Sequence, residues 1–469
     1  MTGHNVVAKI LGELGLVTMW QSSRDIKLLC AQRFVRMFAY FGSTLILVSY
    51  LSAMGNSDDH IGLFMTLTLA GDVVISFFLT LYADSMGRRA VLSLGSILMA
   101  GSGVVFARFN NYWVLLAAAV LGVISPSGAE IGAFRAIEES TLAHLTPEEQ
   151  LGDVFAWYSL IGTAGSALGS LICGWILTSL QSIYGWEFMP SCRAFFLVYA
   201  VIGVVKLLLT LTLSRKVEAA PKAKNQEAHA QTPDPRQENS ETQPLLADQS
   251  RSDQAPPQKK NFFQSIEKDL WSLVIRLFIL FGLDAFASGL ATQSWMTSFF
   301  KRKFLLPEGE LGTIFSISSI ISAASMLVAS SIAKRIGNVK TMVFTHLPSA
   351  VFLSLISVMP SLPLALTFLI LRACSQSMDV APRAAFLAAV LPADKRTAIM
   401  GAVNVVKTLS QTMGPLITGV LARNQLFGVS FIIAGCLKVI YDLGILFSFA
   451  SEEAAKRKPT EQDEEQDER

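Results

Sequence analysis

Asp72 stands in LAGDVVIS, Glu130 in SPSGAEIGAFR and Asp284 in FGLDAFASG, each a carboxyl group set among apolar or small residues. In such surroundings an acid can neutralise a neighbouring cation, help to hold a polar solute, or load and release a proton. Cations are present in equally apolar settings: Arg36 in RFVRMFAYFG, Arg276 in WSLVIRLF, Arg372 in ILRACSQSMD and Lys407 in VVKTLS. The chemistry these residues offer is charge pairing, proton exchange and solute binding. Covalent catalysis has no support, because no phosphate loop or nucleophile elbow occurs. Five cysteines are scattered without a CxxC or His-paired spacing, so the sequence gives no metal site and no disulfide framework. The chain reads as no enzyme and as needing no cofactor.

The elements that must position these charges follow from composition. Of 469 residues, 52% are hydrophobic and only 16% charged, with a mean hydropathy of +0.47. A soluble chain would carry about 25% charged residues. A net charge of +2 gives no reason to expect a nucleic-acid partner. Windows of about 20 apolar residues, the length that crosses a bilayer, begin near Ala31, Ile61, Ala90, Trp113, Phe155, Phe195, Trp271, Gly312, Met342, Leu364, Ala398 and Gly428. The expected fold is therefore an all-α polytopic membrane protein of twelve transmembrane helices. Asp72 precedes Asp84, at the end of its span, by twelve residues, which at about 1.5 Å per residue puts it roughly 18 Å deep, near mid-membrane.

Lysine and arginine collect in DSMGRR, SRK, KRIGNVK and PADKR, while MGNSDDH, RFNNY, QSIYGWEFMPS and MPSLP are poor in both. The first set marks the cytoplasmic side and puts both termini there. FFKRKFLLPEGE breaks the pattern, with three basic residues on the other face. Between spans 6 and 7 the composition turns polar and Pro/Gln-rich, too poor in apolar residues to form a core. The expected organisation is a cytoplasmic N-terminal segment at 1–30, six-helix bundles at 31–214 and 267–450, a flexible linker at 215–266 and a disordered tail at 451–469. The linker also carries ETQPLL at 241–246, which fits an acidic dileucine sorting string. The bundles read as a duplication. An offset of 250 pairs Gly87 with Gly337 and Asp84 with Lys334, and an offset of 245 pairs Pro147 with Pro392, Gly169 with Gly414 and Gly174 with Gly419. Duplicated halves are a common basis of transporters.

LYADSMGRRAVL, at 81–92, resembles the loop between spans 2 and 3 of the major facilitator superfamily, G-x-L-x-D-x-x-G-R-[KR]. Asp84, Gly87, Arg88 and Arg89 match; Thr80 and Tyr82 replace the first glycine and the leucine. SIAKRIGNVK, with Lys334, Arg335 and Gly337, is the weaker copy. The resemblance covers the whole chain and is nearest to the drug-efflux-like branch. It implies two pseudo-symmetric six-helix bundles, a cavity lined by spans 1 and 7, and a gating loop that latches the cytoplasmic side. In physical terms a carboxylate such as Asp84 can bind an exposed helix start, with Arg88 and Arg89 reaching Glu138 and Glu139 at the end of span 4. Arg135 and Glu139, at i and i+4, form a structural pair. Antiporters of the family carry Gly-Pro in span 5; here that step is Gly169-Ser170, and Gly-Pro stands in span 11 at Gly414-Pro415.

The expectation is a secondary transporter of a small organic solute working by alternating access, as proton-coupled export powered by a proton gradient. Alternatives are proton-coupled uptake or facilitated diffusion of an organic anion or sugar, and a membrane sensor or scaffold that does not transport. Asp72, Asp284 and Glu130 are the proton-coupling candidates. Arg36, Arg276, Arg372 and Lys407 are the cavity candidates, and their charge suits an anionic solute. The expected partners are the lipid bilayer and a small-molecule substrate, with a monomer as the working unit. The plasma membrane is the expected location, an acidic vacuolar or lysosomal membrane the alternative.

Overall fold

A computed structural model describes residues 16–122, 124–127, 133–218, 268–392 and 395–467. Glu130, the ETQPLL string and most of the expected linker lie outside them, as do the side chains of Asp84 and Lys334. The described residues form sixteen α-helices and no strand. In chain order these are α1 (Leu16–Gln21), α2 (Arg24–Ala53), α3 (Asp58–Met86), α4 (Arg88–Arg108), α5 (Tyr112–Leu121), α6 (Ala133–Leu145), α7 (Leu151–Ser182) and α8 (Phe188–Leu211). The second half supplies α9 (Lys268–Leu290), α10 (Gln293–Phe304), α11 (Glu308–Ile336), α12 (Asn338–Val358), α13 (Leu362–Ser375), α14 (Val380–Val390), α15 (Arg396–Arg423) and α16 (Phe427–Asp467).

Nine segments are long and apolar enough to cross a membrane among the described residues. Three more crossings are less apolar or interrupted. Helices α11 and α15, of 29 and 28 residues, exceed the about 20 that a bilayer requires. Helices α5 and α6 share one crossing around Pro126. Spans 7 and 10 are also broken, at Ala291-Thr292 and at Gln376–Asp379. Such breaks in a membrane interior persist only where protein or water satisfies the freed backbone groups. Residues 451–467 continue α16.

Local chemistry sets the helix ends. Ser23 caps α2 by accepting from the Ile26 amide at 3.4 Å, and Asn111 caps α5 through the amides of Trp113 and Val114. Gly87 and Gly337 join α3 to α4 and α11 to α12 with φ of 89° and 91°, a conformation that a Cβ would disfavour. These turns, Leu16 and Lys268 share one side of the bundle, called here the terminal face. Asp58, Arg302 and Glu308 lie at the opposite, far face.

The duplication reappears in packing. Gly169 of α7 lies against the Phe38 carbonyl of α2, and its counterpart Gly414 of α15 lies against Gly289 of α9. Gly174 meets the Glu308 carbonyl, and Gly419 meets that of Asp58. Gly312 meets the Ser170 carbonyl, and Gly62 meets that of Pro415. The last two pairs of contacts are related by the offsets of 245 and 250, and the first by 245 and one residue more than 250. Small residues at crossings let backbones touch, so the α7–α11 and α3–α15 contacts between the halves are two copies of one interface. A Cβ on Gly169 would collide with backbone that cannot swing aside. Gly169→Leu is therefore expected to destabilise by about 1–3 kcal/mol or more, lowering the thermal aggregation midpoint of detergent-purified protein. Gly101→Ala, in open space, should leave that midpoint unchanged.

Candidate substrate cavity and its ion clusters

The two halves are bolted together at the far face. Arg302 binds Asp58 through two bonds of 2.6 and 2.8 Å, and Arg423 binds Asp59 at 2.6 Å. Trp175 donates to Thr313 at 2.9 Å, the Gly309 amide to Thr178 at 2.8 Å and Gln181 to Glu308 at 3.4 Å. Deeper in, the Leu416 amide reaches Thr66 and Ser294 reaches the Thr44 carbonyl, both at 3.1 Å. Where both partners are described residues, every hydrogen bond between the halves lies in this far-side part. The basic residues of FFKRKF, which broke the loop-charge pattern, all find partners at this far face, Arg302 across the two halves. Lys301 binds Glu308 at 2.5 Å, Arg302 holds Asp58, and Lys303 donates to the Ser357 carbonyl at 2.7 Å.

Behind this seal lie two adjoining cavities of about 270 and 190 Å³. The larger is lined by Met37 and Phe41 of α2, Thr163 and Ser166 of α7, serines 318, 319 and 322 of α11, and Arg372, Gln376 and Ser377 at the span 10 break. The smaller is lined by Ser127, Ser288, Thr292, Gln293, Gln411 and Lys438, among others. Gln293, Arg372 and Gln376 border both. Two broken helices thus deliver polar groups to one place. Of the cavity candidates, Arg372 is present. Arg36, Arg276 and Lys407 line neither cavity.

Arg36 is 2% exposed and clamps Glu138 of α6 with two bonds of 2.7 and 2.8 Å. Tyr158 donates to the same carboxylate at 2.6 Å, and Lys206 lies 3.9 Å away. One expectation changes here. Glu138 does not serve Arg88 or Arg89, because helical phase turns it into the bundle while Glu139 faces outward to Arg135 at 2.7 Å. Lys206 is buried at 2% exposure beside the same carboxylate as Arg36.

The second half holds a larger cluster. Asp284 accepts from Lys438 at 2.6 Å and from Arg383 at 3.1 Å, and Arg383 also binds Asp379 one turn away. His346 Nδ1 lies 3.0 Å from both Asp442 oxygens, and its Nε2 lies 3.9 Å from Asp284. The i, i+4 pairing of Lys438 with Asp442 does not form. Each faces a different neighbour, since α16 runs between α9 and α12. Lys407 sits 5.8 Å over the Phe281 ring, and Arg276 lies over Phe449. Lys438 also donates to Ser288 at 2.8 Å, and both line the smaller cavity. The cluster therefore touches the cavity through one lysine. Asp72 is half-buried, accepts from Ser76 at 3.4 Å, and has no cationic partner among the described residues.

At the gating loop the acid bound to the start of α4 is Glu218. Its carboxylate accepts from the Arg88 and Arg89 amides at 2.6 and 3.2 Å. Arg88 reaches Ser140 and the Val217 carbonyl, and Arg89 the Leu211 carbonyl. The corrected partner lies four residues into the expected linker, too far along the chain for any local pattern to disclose. Arg335 and Gly337 sit at the matching turn.

The Major Facilitator Superfamily profile matches residues 29–304 and 277–468. The chain belongs to the major facilitator superfamily. It is 37% identical over 439 residues to the uncharacterized membrane protein YJR124C of Saccharomyces cerevisiae, covering 93% of this chain and 96% of that one. A segment of 131 residues is 28% identical to the quinolone resistance protein NorA of Staphylococcus aureus, 28% of this chain and 32% of NorA. Solved structures share the fold. A bacterial homologue of the lysosomal transporter Spinster, inward-facing and unoccupied, superposes with a TM-score of 0.61 at 14% identity over 92% of this chain and 96% of that one. The human organic anion transporter MFSD10 gives 0.55 at 15%, over 90% and 100%. This facilitator is a membrane transporter of a solute.

Glu138→Ala removes the carboxylate that Arg36 and Lys206 share, and breaking a buried pair costs about 3–5 kcal/mol. It should abolish recovery of folded protein in detergent, while the paired change Arg36→Met with Glu138→Leu restores it. At the far face, exposed pairs contribute only about 0.2–1 kcal/mol each. Asp58→Asn should therefore leave folding intact and raise far-face labelling of a cysteine at Thr66 roughly two- to five-fold. Labelling that does not rise would remove this ion pair from the gate.

Proposed function

We propose that this chain is a secondary transporter that moves a small organic solute by alternating access and draws on a proton gradient. The carrying observation is the buried cluster that reaches the cavity through Lys438. Lys438 is held by Asp284, which is in turn surrounded by Arg383, His346, Asp379, Asp442, Tyr441 and Lys407. Protonation of Asp284 would release Lys438, so an event in the cluster changes the charge that the cavity offers. Asp72 stays in this reading as a second acid.

Basic loops support a cytoplasmic terminal face, which makes the far-sealed state inward-facing. Export is the favoured direction on the partial likeness to a resistance protein. Uptake is the second reading, favoured by a cationic cavity that would draw an anion inward with protons. The working unit is taken as the monomer, since the cavity is complete within one chain, and the plasma membrane as its site.

The test is an untargeted comparison of metabolites taken up or released by vesicles with and without the protein, at zero and at imposed pH gradient. A set of solutes should move only with the protein and accumulate against concentration only with the gradient. Asp284→Asn should reduce that accumulation at least ten-fold while equilibrium exchange persists. Accumulation that ignores the gradient would mean facilitated diffusion, and no protein-dependent movement of any solute would favour a sensor or scaffold.

A further inference from the structure

We propose that Arg372, Thr292 and the first turn of α10 form one anion-recognition site, so that the transported solute is a small organic acid. The inference rests on the transporter reading above and adds the chemical class of the solute.

Three independent features meet there. The first is Arg372, which borders both cavities and whose guanidinium has no hydrogen bond, ion pair or ring contact among the described residues. Three other cations of the bundle core are paired with acids: Arg36 with Glu138, Arg383 with Asp379 and Asp284, and Lys438 with Asp284. A guanidinium cannot shed its charge as a lysine can. Its isolation in a polar hollow therefore implies a counter-ion that comes and goes.

The second is Thr292, 2% exposed and lining the smaller cavity. Its hydroxyl has no partner, although it occupies the N-cap position of α10, where a threonine normally accepts from an amide. A buried hydroxyl left unmade costs about 1–3 kcal/mol, and a solute carboxylate would satisfy it. The third is α10 itself, a twelve-residue helix whose first residue, Gln293, borders both cavities. Its opening amides have no partner within the helix and carry partial positive charge, which is where helix breaks in transporters hold anionic groups. No aspartate or glutamate lines either cavity among the described residues.

Shape limits the solute. Volumes of about 270 and 190 Å³ fall below the roughly 300–1,000 Å³ of drug-sized pockets. Serines and glutamines supply neutral donors around the solute body, and Met37, Phe41 and Phe315 supply apolar contact. A compact monoanion with a modest apolar body fits.

The experiment uses the full chain in nanodiscs and reads thermal stabilisation by benzoate, hexanoate and phenyl phosphate against benzamide and hexanamide. At least one acid should raise the midpoint where its amide does not. Arg372→Gln should weaken that acid at least ten-fold, Arg372→Lys less, and Thr292→Val by several-fold. Equal stabilisation by acids and amides, or acid binding unchanged in Arg372→Gln, would overturn the site. Preference among carboxylate and phosphate probes identifies the headgroup. Counterflow of the same probes in vesicles separates the two readings. Acids that bind but never exchange would contradict transport and leave the site standing, whereas exchange of amides without acid binding would do the reverse.

Discussion

Everything in this molecule depends on two helix crossings that bring backbone against backbone at the far face. Gly174 on Glu308 and Gly312 on Ser170 make one, and Gly419 on Asp58 and Gly62 on Pro415 make the other. Glycine at these points removes the side chains that would hold α7 from α11 and α3 from α15. The ion pairs of Asp58, Asp59 and Glu308 then fall within reach of Arg302, Arg423, Lys301 and Gln181. These polar contacts are individually weak, and the glycine crossings beneath them supply the close fit.

Within each half a second constraint operates. A charge withdrawn from water must find a countercharge, and each bundle does this in its own way. The first ties Arg36, Tyr158 and Lys206 to Glu138, joining spans 1, 4, 5 and 6. The second ties Asp284, Arg383, Asp379 and Lys438, with His346 and Asp442 alongside, joining spans 7, 9, 10 and 12. The first is compact and stands off the cavity. The second reaches the cavity through Lys438, so the duplicated fold carries an asymmetric charge distribution.

The family was legible in the sequence because twelve apolar windows and a gating loop are local patterns, and so were the glycine offsets. The partners of buried charges were not. Glu138 and Glu139 are adjacent in the chain, yet about 100° of helical rotation sends one to Arg36 and the other to Arg135. Glu218 meets the start of α4 from 130 residues away. His346 and Thr292 gave no sequence signal, one lying in an unremarkable span and the other in a helix break whose function depends on what faces it. Arg372 was legible as a buried charge. That it has no acid beside it among the described residues depends on tertiary placement, which no local pattern shows.

The measurement that tests the central claim most directly is a pair of spin-label distances in nanodiscs on a cysteine-free background. One pair, at Trp113 and Leu364, spans the far face; the other, at Met86 and Ile336, spans the terminal face. All four sites are exposed. The account predicts two populations at each pair, exchanging in opposite senses, so that conditions that lengthen the far-face distance shorten the terminal-face distance. A single fixed distance at both faces, whatever the pH or added solute, would contradict it.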